Sequence, residues 1–288
     1  MDGNKMIAIT ICTKDRPMEL GLLLQSLRTQ DFQDFDVFIL DDMGGTNLMS
    51  YHFLSSLITR MKQEHNVFIY KSEYHYGVSK ARQEILDKAF DNFKYYDYFL
   101  RVDDDVILEP DYISRLLKVI DEGYDIASGV TPPFAPLIKR NPDFVDIANK
   151  VILQDGKFIF DGDDCGMQYT ESKIVPAHHF RSSALIKREV HEKVKYYPTK
   201  LTKHGFREET IFSFKAQLEG FKIGVDLGAV AWHLNTPSGG ERFPDAQNLA
   251  KFNLLVLDEF VLKNKELNKL FPYEDIGLKL KKENNMRR

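Results

Sequence analysis

Three consecutive aspartates, Asp103, Asp104 and Asp105, follow the mostly apolar segment 98–102. In an extended chain successive side chains point to opposite faces, so we expect Asp103 and Asp105 on one face and Asp104 on the other. Two carboxylates on one face can hold Mn²⁺ or Mg²⁺, which commonly bridges to substrate phosphates. Such an ion neutralises the charge that builds on a diphosphate leaving group. The alternative is a solvated acidic turn, and three aspartates alone do not decide between the two.

Further segments carry groups that suit a nucleotide. Asp42 follows the apolar segment 35–40, where its carboxylate can accept a hydrogen bond from a base or a ribose hydroxyl, or can cap a turn instead. Gly77 and Arg82 lie at the start of a predicted helix, and a helix N-terminus and a guanidinium both suit phosphate. The alternative for Arg82 is a surface ion pair. The turn after the first predicted strand contains Thr13, Asp15 and Arg16.

Candidate catalytic and metal-binding groups lie further along the chain. Glu208 and Glu209 begin a predicted helix, where the helix dipole favours a carboxylate and where a carboxylate can act as general base for an acceptor hydroxyl. Acidic residues are also common in any first helical turn. His233 follows a short predicted strand and can complete a metal shell, or it can be structural. His179 is assigned a structural or acceptor-side role, and Arg242 can meet a phosphate.

The spacing of apolar residues predicts the elements that position these groups. Apolar β-branched runs predict strands, and apolar residues at helical spacing predict helices. The predicted strands of the first half are 6–12, 35–40, 67–70, 98–102 and 126–130. The predicted helices are 20–27, 48–61, 78–90 and 110–120. Buried strands that alternate with helices indicate a parallel sheet covered on both sides, whose ligands bind beyond the carboxyl ends of the strands.

The second half has a less regular pattern and predicts a smaller acceptor-side subregion. Its predicted elements are a hairpin over 151–160, a strand over 180–186, a helix over 208–218, short strands over 223–225 and 229–232, and a final helix over 245–262. We therefore expect a catalytic domain over residues 1–235, divided into a nucleotide-sugar half (1–130) and an acceptor half (131–235). A helical extension is expected over 236–288.

Composition narrows the class of protein. The chain has 288 residues, of which 43% are hydrophobic and 28% charged, with a formal net charge of -4. This balance is ordinary for a globular protein and disfavours nucleic acid as a partner without excluding it. We expect Cys12 to be a buried apolar group and expect no disulfide framework. No apolar run approaches the roughly 20 residues that span a bilayer, and no signal-peptide pattern is seen. The expected location is cytoplasmic, with peripheral membrane contact through the basic tail as an alternative.

Taken in order, these motifs resemble those of family 2 glycosyltransferases with the GT-A fold, over residues 6–235. The resemblance implies an α/β fold with a mostly parallel central sheet flanked by helices. It rests on six segments in family order: 9–17, 37–42, 77–82, 103–105, 208–209 and His233. Two departures are Glu209, where the family usually has aspartate, and Gln83, where asparagine is frequent.

The resemblance also implies roles for individual residues. Glu209 corresponds to the catalytic base, and Glu208, His179 and Arg242 are auxiliary or acceptor-side candidates. Asp105, Asp103 and His233 correspond to ligands of Mn²⁺ or Mg²⁺. The remaining candidates would bind the nucleotide sugar, a UDP-sugar first among them: Thr13, Asp15, Arg16, Asp42, Gly77, Arg82, Asp103 and Asp104. The implied reaction is a single in-line displacement with inversion at the anomeric carbon.

Two other functions compete with this interpretation. A sugar nucleotidyltransferase would share the sheet and the metal, but it typically has a glycine-rich loop after the first strand, and residues 13–17 contain no glycine. A catalytically inactive module that binds a nucleotide sugar or a glycan is disfavoured by the presence of Asp103, Asp105 and Glu209. The acceptor stays open: a polysaccharide or other glycan is expected first, and a protein or a modified DNA base is an alternative.

Overall fold

In the computed structural model of the chain, the described residues are 5–92, 95–135, 145–154, 157–161, 171–196, 203–236 and 252. Strands and helices alternate through the first half, which confirms the predicted pattern. Its elements are β1 (Ile7–Thr13), α1 (Pro17–Arg28), β2 (Phe35–Asp41), α2 (His52–Met61), β3 (Val67–Lys71), α3 (Val78–Phe90), β4 (Tyr98–Asp103), β5 (Val106–Leu108), α4 (Tyr112–Asp121) and β6 (Ile126–Val130).

Two helices of the first half begin later than predicted. Leu48–Ser50 forms a separate 3₁₀ turn, and Tyr51, whose ψ of 109° is extended, interrupts the helix that we predicted over 48–61. The helix predicted from Pro110 begins at Tyr112. Asp111, between Pro110 and Tyr112, has φ -99° and ψ 10°, which lie outside the helical region. The chain therefore makes a turn before the helix starts. Apolar spacing could not locate these boundaries because helix ends are set by local backbone geometry.

The second half contains β7 (Lys150–Gln154), β8 (Lys157–Asp161), β9 (Ile174–Pro176), β10 (Ser183–Lys187), α5 (Arg188–Lys193), α6 (Glu208–Leu218) and β11 (Ile223–His233). β7 and β8 pair antiparallel, which confirms the predicted hairpin. The two short strands predicted over 223–225 and 229–232 are wrong as separate elements: they are parts of the single strand β11, whose register shifts between Val225 and Val230. The helix predicted over 245–262 lies outside the described residues, apart from Phe252.

Within the described residues, nine strands form one sheet in the order β3-β2-β1-β4-β10-β6-β11-β5, with β9 also paired to β11. The first four strands are parallel, as predicted. β10 runs antiparallel between β4 and β6, so the strand predicted over 126–130 does not lie beside β4. β5 and β9 are antiparallel to β11. The sheet is therefore parallel from β3 to β4 and mixed beyond β4.

Side chains on the two faces of the sheet enter two hydrophobic clusters. Along β1, Ile7, Ile9 and Ile11 belong to the cluster that includes α1, α2 and α4, whereas Ala8 belongs to the cluster that includes α3 and α6. This alternation is the two-residue period of a strand buried on both faces. Among the described residues, no helix combines the length and the apolar character that crossing a bilayer requires.

His191 on α5 is buried in an aromatic cluster of the second face. Its ring centroid lies 5.3 Å from that of Phe212 and 5.5 Å from that of Phe99. Neither ring nitrogen has a hydrogen-bond partner among the described residues. Burial, with smaller contributions from the positive charges of Lys195 and Arg101, lowers the pKa of His191 to about 3. The neutral imidazole is therefore the form that the fold accommodates.

We expect His191 to make the protein acid-sensitive. The unfolded chain protonates this histidine near pH 6.5 and the folded one only near pH 3. The unfolded state therefore binds more protons between these values, and stability is lost as the pH falls below 6.5. Between pH 7 and pH 5 this group should remove about 2 kcal/mol from the free energy of unfolding. Urea unfolding at pH 7 and at pH 5 measures this loss, which should be smaller in His191→Leu than in the wild type. The exposed His52 supplies the control variant His52→Leu, and an equal pH dependence in all three proteins would contradict the prediction.

Candidate active site

A cavity of about 570 Å³ lies beyond the carboxyl ends of β1, β2 and β4. Residues 203–209 line it from the acceptor half, and residues around His233 line it from the end of β11. The volume is in the range of small-molecule sites, and the position is the one expected for a ligand of a parallel sheet. The cavity therefore lies where the sequence predicted the functional residues to converge.

The cavity brings together most of the predicted site residues. Those that line it are Thr13, Arg16, Asp42, Arg82, Asp103, Asp104, Asp105, Glu208, Glu209 and His233. Cys12, which we expected to be a buried apolar group, also lines it and is only partly buried. Burial raises the pKa of its thiol to about 12. Cys12 therefore contributes a neutral side chain to the lining of a strongly charged cavity.

Other predicted residues are not among those that line the cavity. Asp15 faces the 44–45 loop, where its Oδ1 accepts the backbone N–H of Gly45 at 2.6 Å. His179 is buried, and its Nδ1 lies 2.9 Å from the carbonyl oxygen of Phe180, to which it can donate. Burial lowers the pKa of His179 to about 3, so the neutral imidazole is the form that the fold accommodates, and its role stays a prediction. Arg242 lies outside the described residues.

The three aspartates do not form an extended segment. β4 ends at Asp103, and Asp104 and Asp105 form a turn before β5. The expectation that Asp104 faces away from the other two is therefore wrong, because the turn brings Asp104 and Asp105 to the same guanidinium. Nη1 of Arg16 lies 2.9 Å from Asp104 Oδ1 and 2.9 Å from Asp105 Oδ2. Burial raises the pKa of Asp104 to about 6, although Arg16 acts in the opposite direction.

Arg82 lines the cavity, and its guanidinium is engaged within the protein. Its guanidinium is buried, donates to the carbonyl oxygen of Val102 at 2.9 Å and pairs with the carboxylate of Asp103. Arg101 also contacts the same oxygen of Asp103 at 3.4 Å. The alternative interpretation of an ion pair for Arg82 is closer to the observed arrangement, but the pair is internal rather than on the surface. Arg82 therefore compensates the charge of Asp103, and its contact with a phosphate stays a prediction.

The N-terminus of α3 is joined to the acceptor half of the chain. The backbone N–H of Val78 donates to the carbonyl oxygen of Lys203 at 3.0 Å. A Cβ at Gly77 would lie 2.8 Å from the Cα and carbonyl oxygen of Lys203, and Gly77 has φ +79°. Gly77 therefore allows close approach between α3 and residues 203–209. We predicted that this helix end contacts a phosphate. The backbone N–H of Val78 is instead used by its hydrogen bond to Lys203.

Two side chains at the cavity have the donor types that Mn²⁺ or Mg²⁺ needs. Oδ1 of Asp105 lies 3.6 Å from Nε2 of His233, while the other oxygen of Asp105 contacts Arg16. With metal–ligand distances of about 2.1 Å, one ion can contact both atoms. The described residues hold no group of three His, Cys, Asp or Glu side chains suited to a cation. Two protein ligands are nevertheless compatible with these ions, since water and substrate phosphate commonly complete their shell.

A hydrogen bond from the backbone of Asn235 orients the ring of His233. The backbone N–H of Asn235 donates to Nδ1 at 2.9 Å, so the neutral ring carries its proton on Nε2. That proton must leave before Nε2 can coordinate a cation, and the Asn235 contact must then loosen. Asp103, which we predicted as a further ligand, contacts two arginines through Oδ1, and its role as a metal ligand stays a prediction. Asp105 can therefore contact a cation through Oδ1, whereas His233 can do so only after that rearrangement.

The two consecutive glutamates at the start of α6 have different environments. Glu208 is buried, and its Oε1 lies 2.7 Å from Nη1 of Arg101. Burial raises the pKa of Glu208 to about 7, and Arg101 only partly offsets this effect. Glu209 is partly exposed and lines the cavity. Sequence reasoning missed Arg101, although a lone arginine in an apolar strand was a signal that it needs an internal partner.

Asp42 is surrounded by donors from the segment that follows β3. Its Oδ1 accepts from Tyr76 N–H at 2.7 Å and from Ser72 Oγ at 3.1 Å. Its Oδ2 lies 2.8 Å from His75 Nδ1 and accepts from Gly77 N–H at 2.9 Å. The sequence analysis did not identify His75, whose imidazole lines the cavity. No motif marked it, because the contact with Asp42 depends on how residues 72–77 fold back.

Comparison with known proteins shows which family and which solved structures this chain resembles. The family model for glycosyl transferase family 2 matches residues 8–155. No curated protein matches the chain. A crystal structure of S. aureus TarS 1–349 aligns with a TM-score of 0.56 and 16% identity, covering 92% of this chain and 77% of that one. The same protein in complex with UDP-GlcNAc aligns with a TM-score of 0.57, 14% identity and coverage of 92% and 70%.

A third structure, GalNAc-T7 with UDP, GalNAc and Mn²⁺, aligns with a TM-score of 0.67 and 14% identity. It covers 99% of this chain, which spans 55% of that chain. The chain likewise spans 50% of a longer TarS structure. At these identities the likeness concerns the fold, and the predicted GT-A architecture is confirmed. The predicted family is confirmed by the family model.

The close contact at Gly77 leads to a prediction about stability. Gly77→Ala places a Cβ in a left-handed backbone conformation and against the backbone of Lys203. Gly123, with φ +93° and no atom within 4 Å of such a Cβ, supplies the control Gly123→Ala, which incurs only the conformational cost of about 1 kcal/mol. Urea unfolding should show a loss for Gly77→Ala that exceeds the control by about 1–3 kcal/mol. Equal losses would contradict the packing of α3 on residues 203–209.

Proposed function

The chain belongs to glycosyl transferase family 2, and from this premise we propose that it moves a sugar from a nucleotide-diphosphate sugar to an acceptor hydroxyl. The observation that carries the proposal is the convergence of three groups in one cavity. These are the Asp105–His233 pair, the cationic side chain of Arg16 and the carboxylate of Glu209. Together they can hold a diphosphate and receive a proton from an attacking hydroxyl.

The donor is proposed to lie across the carboxyl ends of β2, β1 and β4, with its diphosphate beside Asp105 and His233. A UDP-sugar is proposed first, because similar structures contain UDP-GlcNAc, or UDP with GalNAc. When bound by Asp105 and His233, Mn²⁺ or Mg²⁺ would supply positive charge that offsets the charge of the departing diphosphate. Arg16 already contacts Asp105, so it would contribute a second positive charge close to the same phosphate.

Glu209 is proposed as the general base. Its carboxylate takes the proton of the acceptor hydroxyl while that oxygen forms a bond to the anomeric carbon. The bond from this carbon to the phosphate oxygen breaks on the opposite side, and the nucleoside diphosphate leaves with its electron pair. This single displacement inverts the configuration at the anomeric carbon. Glu208 is less suited to the role, because it is buried against Arg101.

The acceptor is proposed to be a hydroxyl of a glycan. It would enter from the side of residues 203–209, which line the cavity next to Glu209. Lys203 and Arg207 belong to this segment, so an acceptor with anionic groups would be compatible with its charge. The guanidinium of Arg207 lies 3.7 Å from the ring centroid of Phe160. This pair lies next to the proposed acceptor entrance.

Nucleotide binding tests the proposed donor site. Calorimetry with UDP, GDP, dTDP, CDP and ADP, with and without Mn²⁺, should show one nucleotide that binds only when the metal is present. Asp105→Asn removes the charge of one proposed metal ligand and should weaken that binding by about tenfold or more. The exposed Asp121 supplies the control Asp121→Asn, which should bind as the wild type does. Absence of metal-dependent binding by every nucleotide in the wild type would overturn the proposal.

Turnover tests the proposed base. Glu209→Gln keeps the size of the side chain but removes its ability to take a proton. We expect kcat for sugar transfer, or for hydrolysis of the donor, to fall by about 10²–10⁴-fold while the Kd of the nucleotide changes less than about twofold. Glu219, exposed at the other end of α6, gives the matched control Glu219→Gln. A large change in Kd with unchanged kcat would assign Glu209 to binding instead of proton transfer.

A further inference from the structure

The side of the cavity that belongs to the acceptor half is rich in positive charge. Among its described residues, the cationic side chains that line the cavity are Arg181, Lys203 and Arg207. The carboxylates that line it from this half are Glu208 and Glu209. Glu208 is buried against Arg101, which compensates its charge. Three cations therefore accompany one further carboxylate, that of Glu209, in a chain whose formal net charge is -4.

Arg207 is positioned by an aromatic contact within the acceptor half. Its guanidinium carbon lies 3.7 Å from the ring centroid of Phe160 on β8, and that ring lies 5.6 Å from the ring of His179. A ring over the face of a guanidinium does not use its N–H donors, which lie in the guanidinium plane. A guanidinium has five of these donors and binds a carboxylate or a phosphate with two of them. Contacts of Arg207 within the protein can therefore coexist with an anionic ligand.

Arg181 lies on the same side of the cavity, next to the end of β4. The backbone N–H of Asp103 donates to the carbonyl oxygen of Ser182 at 3.0 Å, so the segment that contains Arg181 runs beside the last residue of β4. Burial lowers the pKa of His179, and the positive charges of Arg207 and Arg181 contribute to this effect. The two arginines therefore lie near the same buried group, although one precedes α6 and the other precedes β10.

The diphosphate of the donor has another source of positive charge. Arg16 contacts Asp105 at 2.9 Å, and the diphosphate is proposed to lie beside Asp105. Arg207 contacts β8 instead, and it precedes the proposed base Glu209 by two positions in the chain. The arginines of the acceptor half therefore suit the molecule that brings the attacking hydroxyl to Glu209.

We propose that the acceptor is an acidic glycan, whose carboxylate or phosphate group is bound by Arg207 and Arg181 while its hydroxyl lies against Glu209. This inference rests on the proposed function, because it requires sugar transfer in this cavity. The anionic group takes no part in the making or breaking of bonds, and it fixes the position of the hydroxyl. DNA also carries phosphates, but it is disfavoured because it requires a long basic track, and the chain has a net charge of -4.

Matched pairs of oligosaccharides test the requirement for charge. Trigalacturonate is compared with its methyl ester, which removes the carboxylate charges, and maltotriose 6-phosphate is compared with maltotriose. Calorimetry uses the full chain in the presence of UDP and Mn²⁺. The anionic member of one pair should bind about tenfold more tightly than its neutral partner. This preference should shrink when the salt concentration is raised, because salt screens charges that are exposed to solvent.

Substitutions assign this preference to the two arginines. Arg207→Gln and Arg181→Gln each remove one positive charge and should reduce the preference by about tenfold, while the Kd of UDP with Mn²⁺ changes less than about twofold. Arg207→Lys keeps the charge without the two-donor geometry and should restore part of the preference. The exposed Arg60 on α2 supplies the control Arg60→Gln, which should behave as the wild type.

Thermal unfolding by circular dichroism shows whether each variant is folded. Arg207→Gln loses the contact with Phe160, so it can lose stability as well as charge. Arg181→Gln leaves that contact in place and keeps the test decisive if Arg207→Gln does not fold.

The outcomes separate this inference from the function beneath it. A preference that both variants reduce identifies the anionic group as a carboxylate in the galacturonate pair and as a phosphate in the maltotriose pair. The inference is overturned if neither anionic oligosaccharide binds more tightly than its neutral partner, or if the variants weaken UDP as much as the oligosaccharide. Tighter binding of a short DNA oligonucleotide than of both anionic oligosaccharides overturns it as well.

Metal-dependent binding of UDP by the wild type is measured in the same experiment. Where it is present, each of these negative results leaves the proposed donor site in place. If the wild type binds no nucleotide with metal, the proposed function fails and this inference fails with it.

Discussion

The arrangement of the site depends on two arginines that are buried beneath the cavity and must be paired. Arg101 on β4 pairs with Glu208 on α6, and Arg82 on α3 pairs with Asp103 at the end of β4. A buried charge without a partner is costly, whereas a pair with good geometry can be accommodated. These contacts therefore tie the sheet, α3 and α6 to one another. The start of α6, where Glu209 enters the cavity, is positioned by the same constraint.

The arginines also determine which acidic residues have their charge compensated inside the protein. Asp103 and Glu208 contact buried guanidinium groups, so their charges are compensated inside the protein. Asp105 shares Arg16 with Asp104 but directs its other oxygen to His233. Asp42 is compensated by hydrogen-bond donors of its neighbouring segment. The cavity thus contains many carboxylates but exposes only a few of them to a ligand. The partner that each carboxylate has within the protein determines whether it can contact a ligand.

Residues 72–77 and 203–209 illustrate how irregular segments acquire defined positions. Residues 72–77 fold around the carboxylate of Asp42, which accepts two backbone N–H groups from them. Residues 203–209 pack on the first turn of α3, and Gly77 permits their close approach. Both segments meet at α3. Residues 72–77 and residues 203–209 are therefore held in position by the same helix.

The residue types and their spacing were sufficient to predict β1 to β4, α3 and α6, because buried strands and amphipathic helices have periodicities that are visible in a single chain. They also placed acidic residues at the ends of β2 and β4, since parallel strands end at a common edge. The antiparallel position of β10 between β4 and β6 was not predictable, because periodicity carries no information about strand direction or order. The turn at 104–105, the internal pairing of Arg82 and the contact between Asp42 and His75 were likewise decided by the tertiary structure. Each depends on groups distant in the chain that compete for the same carboxylate, and that competition is resolved only when the chain is folded.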